Sequence, residues 1–85
     1  MNDQPPIVGE HALPNGRRYS ILDTGAPYKP GEYPSGGLHI RLWFSEQSGW
    51  IHLDYAPDEA AARGFLKAAA RLGPPPTPPG ETLKA

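Results

Sequence analysis

The chain has 85 residues and a formal net charge of −1, which limits it to one small domain and argues against a general polycationic mechanism of nucleic-acid binding. It contains no cysteine, so disulfide frameworks, thiolate zinc sites and cysteine nucleophiles are excluded. Twelve prolines, ten glycines and a hydrophobic fraction of only 38% predict a compact core formed by a few segments.

The two ends of the chain differ in composition from the middle. Residues 1–6 lack the basic and apolar segments of a secretory signal, and no apolar run approaches the ~20 residues of a membrane span. Residues 74–85 are rich in proline, which lacks an amide donor and fixes φ, so this tail is predicted to be disordered. We therefore expect a cytoplasmic protein without membrane contact, with a flexible N-terminus (1–6), one domain (7–73) and a disordered tail (74–85).

A first hairpin is predicted around the pair Asn15-Gly16, which accepts positive φ at low cost. The pair separates a segment at 7–13 from a predicted strand at 17–23. Gly9 and Glu10 interrupt the apolar pattern of the first segment, so it is at best an edge strand. The sheet therefore has three or four strands.

A second hairpin is predicted from two alternating segments, 38–44 and 50–55. Leu38, Ile40, Leu42 and Phe44 share one face with Ile51, Leu53 and Tyr55. A four-residue loop pairs Trp43 with His52, whereas a two-residue turn pairs Trp43 with Asp54. In either register His39 and His52 are about 13 Å apart along the strands.

A helix is predicted over 57–72. Pro57 suits the first helical position, Asp58 and Glu59 complement the helix dipole, and Gly73 is expected to stop the helix in the left-handed conformation. The apolar face is predicted to carry Ala61, Phe65, Ala68, Ala69 and Leu72, with Leu66 beside it. The fold class is α+β: a small antiparallel sheet with one C-terminal helix packed on one face (β-β-β-α or β-β-β-β-α).

The candidate binding surface is the face of the sheet that the helix leaves uncovered. Aromatic rings beside Arg and His are typical of a recognition patch. The predicted binding residues on this face are His39, Arg41, Trp43, Trp50 and His52. Tyr28 and Tyr33, in the aperiodic segment 24–37, would either be presented to the partner or fold back over the tryptophans as a second small core.

A secondary candidate surface is a basic row on the helix, formed by Arg63, Lys67 and Arg71 at four-residue steps. Such a row could meet phosphates or an acidic partner, and it is also typical of a solvated helix face. It is predicted to lie opposite the tryptophans.

Metal binding, cofactor binding and catalysis are not expected. The three histidines are His11, His39 and His52, and the predicted separation of the last two excludes a shared metal ion. Ser45 and Ser48 lie at a turn and lack the surroundings of an activated nucleophile.

The sequence thus predicts a small non-enzymatic bacterial binding protein that docks on or inhibits a protein partner. Its bias toward Ala, Arg, Gly and Pro suggests a GC-rich bacterial genome or one of its mobile elements, a phage or a plasmid. The alternative is a nucleic-acid-binding module in which Arg41 and the two tryptophans meet backbone and bases. A homodimer through the face of Trp43 and Trp50 would have the same sequence signature.

Overall fold

Four antiparallel strands pair in chain order, and one helix follows them. The computed structural model describes residues 6–74. Its elements are β1 (Gly9–Ala12), β2 (Arg18–Asp23), β3 (Leu38–Ser45), β4 (Gly49–Ala56) and α1 (Glu59–Ala69). This confirms the predicted α+β class with four strands, and the predicted edge strand is β1. Apart from Pro6 and Pro74, the predicted flexible ends (1–6 and 74–85) lie outside the described residues.

The core lies between the sheet and α1. Along β3 the side chains of Leu38, Ile40 and Leu42 are buried, as the alternation predicts. Ile21 and Tyr19 of β2 pair with Ile40 and Leu42, so their side chains reach the same face. The Tyr19 ring meets the ring of Phe65 edge-on, with the centroids 5.8 Å apart. This contact places α1 on that face, which we call the helix face.

The helix is shorter than the sequence predicts. It begins after Asp58, whose carboxylate accepts a hydrogen bond from the Ala61 amide at 2.9 Å. Asp58 is therefore the N-cap, and the prediction of Pro57 at the first helical position is wrong. The helix ends at Ala69 and is followed by Ala70 with φ −63°, whereas Gly73 does not adopt positive φ. The predicted left-handed stop at Gly73 is also wrong.

The contact face of α1 is rotated from the predicted one. Ala62 and Ala69 are buried and Phe65 and Leu66 are half-buried, whereas Ala61 and Ala68 are exposed. Alanine carries too little apolar area to fix the orientation of a helix. The larger Leu66 turns toward the sheet together with Phe65 and sets the rotation.

The register of β3 and β4 differs from both predicted registers. Trp43 pairs with Trp50, and Arg41 pairs with His52. Closer to the end of β4 the register shifts by one residue, because Leu53 is an extra residue between the pairs Arg41–His52 and Ile40–Asp54.

This β-bulge changes the face to which Tyr55 belongs. Beyond Leu53, Tyr55 pairs with His39 and Ala56 pairs with Leu38. Tyr55 was predicted to share the face of Ile51 and Leu53. Because one inserted residue reverses the alternation, its side chain lies with His39 on the opposite face. We call that face the outer face.

The β1–β2 turn holds the C-terminal end of α1. The Asn15 side-chain amide donates to the carbonyl oxygens of Ala69 at 3.1 Å and Leu72 at 2.8 Å. The Arg17 Nε donates to the carbonyl oxygen of Gly73 at 2.7 Å. The bond to Ala69 adds a second donor to the last carbonyl group of the helix, which also accepts from the Leu72 amide, and the other two bonds hold the turn that follows.

Candidate binding face

The outer face gathers aromatic and basic side chains from three strands and one loop. Strand alternation places most of these side chains on this face, whereas the loop brings Tyr33 and the bulge at Leu53 brings Tyr55. Its members are Arg18, Tyr33, His39, Arg41, Trp43, Trp50, His52 and Tyr55.

One half of the outer face is a tryptophan pair flanked by arginines. The rings of Trp43 and Trp50 meet edge-on, with the centroids 5.4 Å apart and both side chains half-buried. The Arg18 guanidinium carbon lies 5.3 Å from the Trp43 centroid and 5.8 Å from the Trp50 centroid. The Arg41 guanidinium carbon lies 5.3 Å from the Trp50 centroid. These distances are within the range of cation–π attraction.

The two arginines are held by further contacts along the sheet. Arg18 Nη2 lies 3.0 Å from a Glu10 carboxylate oxygen, in a pair exposed to solvent. Arg41 Nε donates to the hydroxyl of the buried Ser20 at 3.0 Å. Within residues 6–74 the terminal nitrogens of Arg41 have no hydrogen-bond acceptor, so its planar end is available to a ligand.

The other half of the outer face is centred on a histidine pair. His39 Nε2 and His52 Nδ1 lie 2.8 Å apart, which is a hydrogen-bond distance. The prediction that strand offset separates them by about 13 Å is therefore wrong. In the actual register His52 pairs with Arg41, directly before the bulge at Leu53, and His39 pairs with Tyr55, two pairs further along the sheet. The two histidine side chains therefore lie on the same face and close together.

His39 is favoured in its uncharged form. Partial burial lowers the pKa of His39 below the ordinary value of 6.5, and the neighbouring His52 and Arg41 lower it further. A single hydrogen bond between two imidazoles requires one ring to donate and the other to accept, which two imidazolium ions cannot do. The pair is therefore a hydrogen-bonded unit near neutral pH.

Two tyrosines surround the histidine pair. The Tyr55 ring stacks on His39 with the centroids 4.8 Å apart, and the Tyr33 ring meets His52 edge-on at 4.8 Å. Tyr33 also meets Tyr55 edge-on at 6.0 Å, yet its side chain remains 73% exposed. The four rings form one continuous aromatic surface.

The loop that presents Tyr33 is closed at its base. The Gly37 amide donates to the Ala26 carbonyl oxygen at 2.7 Å, and the Thr24 amide donates to the Gly37 carbonyl oxygen at 3.0 Å. A side chain at Gly36 would collide with the Pro27 carbonyl group, so only glycine fits this close approach. The Ser35 hydroxyl accepts from the Lys29 amide at 2.8 Å, which fixes the loop near Tyr33.

The structure brings together six of the seven predicted binding residues. They are His39, Arg41, Trp43, Trp50, His52 and, through the loop, Tyr33. Tyr28 is not among them, because its Cβ packs near Gly37 at the base of the loop. Tyr33 packs on the histidine half, and the loop forms no ring contact with either tryptophan within residues 6–74.

Two residues of the predicted basic row, Arg63 and Lys67, lie on α1, behind the sheet as seen from the outer face, whereas Arg71 lies beyond the end of the helix at Ala69. Lys67 and Arg71 are exposed and Arg63 is half-buried. Because the sheet separates this row from the tryptophans, the two surfaces do not form one groove.

Sequence reasoning missed Arg18 and Tyr55. The alternation of Tyr19 and Ile21 is a signal that would have placed Arg18 on the outer face. No comparable signal exists for Tyr55, since its position depends on the bulge at Leu53.

Three further observations bear on the function. Across residues 6–74 no group of three or more His, Asp or Glu side chains is arranged to hold a metal ion. Within the same part of the chain no helix has the length and apolar character needed to cross a membrane. The chain matches no protein-family model, no curated protein and no solved structure.

Proposed function

We propose that this chain is a small non-enzymatic binding protein that docks on or inhibits a protein partner through its outer face. The observation that supports it best is the pair of Trp43 and Trp50 with Arg18 and Arg41 over their rings. Tryptophan, tyrosine and arginine are the residues that most often dominate the binding energy of protein interfaces.

The packing of the outer face favours a protein partner because it is already ordered. The indole rings hold one another, the guanidinium groups lie over the rings, and Ser20 fixes Arg41 from below. A surface whose side chains are immobilised before binding loses less conformational entropy when a partner docks. Polar ends at its margin, such as the Arg41 nitrogens that have no acceptor among residues 6–74, provide directional contacts.

Nucleic acid is the alternative ligand, and the same geometry makes it less favourable. Base stacking requires a free ring face, but Arg18 and Arg41 occupy faces of Trp43 and Trp50. The net charge of −1 also provides little of the counterion release on which phosphate binding depends.

The test compares three variants of the full chain. Trp43→Ala removes one ring of the pair, Tyr28→Ala is the matched aromatic control, and joint replacement of Arg63, Lys67 and Arg71 by Gln removes the basic row. Partners are captured from bacterial lysate with and without nuclease, and affinity is then measured with the purified ligand. Thermal melts establish first that each variant is folded.

We expect Trp43→Ala to weaken binding of a nuclease-resistant protein ligand by about 2 kcal/mol or more. Tyr28→Ala and the triple variant should bind nearly as tightly as the parent. Recovery of nucleic acid, with the triple variant binding worst and with a reduced dependence on salt, would establish the alternative. Self-association that Trp43→Ala abolishes would show that the outer face is a homodimer interface. Undiminished binding by a folded Trp43→Ala protein would refute the proposal.

A further inference from the structure

A cavity opens between the sheet and the C-terminal half of α1, on the side of the molecule opposite the outer face. Its volume is about 360 Å³, within the range of small-molecule sites. The residues that line it are Arg17, Tyr19, Leu42, Leu53, Phe65, Ala68, Ala69 and Leu72.

The cavity exists because α1 ends before it covers the sheet completely. Leu53 and Phe65 remain half-buried, and Leu72, beyond the helix, is 51% exposed. The small side chains of Ala68 and Ala69 leave space where the helix faces the sheet. The walls are almost entirely apolar, so water in this cavity would find few hydrogen-bond partners.

Arg17 supplies the one charge among the lining residues. Its Nε donates to the Gly73 carbonyl oxygen at 2.7 Å, and its Nη2 lies 3.3 Å from the Pro74 carbonyl oxygen. These bonds hold the guanidinium group in place. Within residues 6–74 its Nη1 has no acceptor, which leaves donors for an anionic group.

We propose that this cavity binds a small amphiphilic anion, an aliphatic or aromatic group that carries one carboxylate. The apolar part lies between Leu42 and Phe65, and the carboxylate accepts hydrogen bonds from Arg17. An apolar enclosure with one positioned cation is complementary to that class of ligand and to neither a sugar nor a nucleotide, whose many polar groups would lose their hydration. The inference concerns the helix face and does not depend on the function proposed for the outer face.

The probes are octanoate and octanol, which have the same chain length and differ in charge. Binding to the full chain is followed by amide chemical shifts in NMR spectra, at concentrations below those at which octanoate forms micelles. We expect saturable shifts for residues around the cavity, and tighter binding of octanoate than of octanol by about tenfold, the effect of a charge-assisted hydrogen bond.

Two alanines of α1 provide a matched pair of variants. Ala68→Phe fills the cavity, whereas Ala60→Phe places the same ring at an exposed position of α1 outside the cavity lining. Ala68→Phe should abolish octanoate binding, and Ala60→Phe should retain it. Thermal melts show whether both proteins are folded, and the outer-face variant Trp43→Ala should still bind octanoate.

Arg17→Gln tests the charge. This variant should lose the preference for octanoate over octanol while it still binds octanol, a result that general unfolding of the cavity would not give. The proposal is overturned if octanoate gives no saturable shifts with the parent chain. It is also overturned if a folded Ala68→Phe protein binds octanoate like the parent, or if octanol binds as tightly as octanoate.

Discussion

Two leucines on the helix face differ in how completely the core encloses them. Both line the cavity, but Leu42 is only 6% exposed, whereas Leu53, at the bulge, is half-buried. We expect Leu42→Ala to lower the free energy of unfolding by about 2–5 kcal/mol, because it removes a side chain from close packing. Leu53→Ala should cost less, since part of that side chain already faces open space.

Chemical denaturation of both variants, with the exposed Leu22→Ala as the control, measures these differences. Equal losses for Leu42→Ala and Leu53→Ala would show that Leu53 is packed as closely as Leu42 in solution.

The histidine pair predicts a pH-dependent stability. The folded pKa of His39 lies below the unfolded value of 6.5, so the unfolded chain takes up the proton first as the pH falls. The contribution to stability is therefore fully present above about pH 6.5 and is lost as the pH falls toward the folded pKa. Groups facing the His39 ring are His52, Tyr55 and Arg41.

We expect the parent chain to melt at a lower temperature at about pH 5 than at about pH 7.5, and His39→Gln to reduce that difference. His11→Gln is the control, because His11 lies on β1 and contacts the Ile7 carbonyl oxygen instead. If His39→Gln and the parent show the same pH dependence, burial and the neighbouring charges do not lower the pKa of His39 in the folded protein.

At the scale of elements, the β1–β2 turn and the end of α1 stabilise each other. Asn15→Ala removes two hydrogen bonds, one to the carbonyl group of Ala69 at the end of the helix and one to that of Leu72 in the turn that follows. We expect a loss of about 1–2 kcal/mol in the free energy of unfolding and faster hydrogen exchange in the last turn of α1.

The variant Asn15→Asp distinguishes the contact of Asn15 within the turn from its contact with the end of α1. It retains an oxygen for the Arg17 amide, which bonds Asn15 Oδ1 at 3.0 Å, but it replaces the donor with a negative charge at the C-terminal end of the helix. It should therefore be at least as destabilising as Asn15→Ala. A variant as stable as the parent would indicate that the turn, rather than the helix contact, determines the role of Asn15.

The strands and the helix were predictable because each has a periodic apolar pattern and a recognisable turn or cap nearby. Leu38, Ile40 and Leu42 identify β3 and its buried face without ambiguity. The register of β4 was not predictable, since the bulge at Leu53 leaves no mark in the pattern of apolar residues. Apolar residues alternate up to Tyr55 in the sequence, whereas the structure reverses the alternation after Leu53.

At the scale of the whole molecule, residues 6–74 contain the sheet, the helix and their core. A chain truncated after Pro74 keeps the carbonyl oxygens of Gly73 and Pro74 that Arg17 contacts. We expect it to unfold at nearly the same temperature as the full chain in a thermal melt followed by circular dichroism. A midpoint lower by many degrees would show that residues 75–85 contribute to the folded core.

Part of the candidate site was predictable because side chains alternate between the two faces along every regular strand of the sheet. Once the helix covers one face, alternation alone assigns Trp43, Trp50 and Arg41 to the other. Contacts between distant segments, such as that of Tyr33 with His52, depend on the path of the loop and on the bulge. Neither is encoded in a local periodicity.

The side chains in the two halves of the outer face point outward for different structural reasons, because of the bulge at Leu53. The tryptophan half follows from regular alternation, whereas Tyr55 reaches the histidine half only because β4 is one residue longer than its partner at that point. Deletion of Leu53 would remove the bulge, and the pairs Ile40–Asp54 and His39–Tyr55 would continue the regular alternation, so Tyr55 would stay on the outer face. The chemistry displayed around His39 thus depends on the count of residues in β4: one residue inserted between Leu53 and Tyr55 would turn Tyr55 to the helix face and leave the tryptophan half in place.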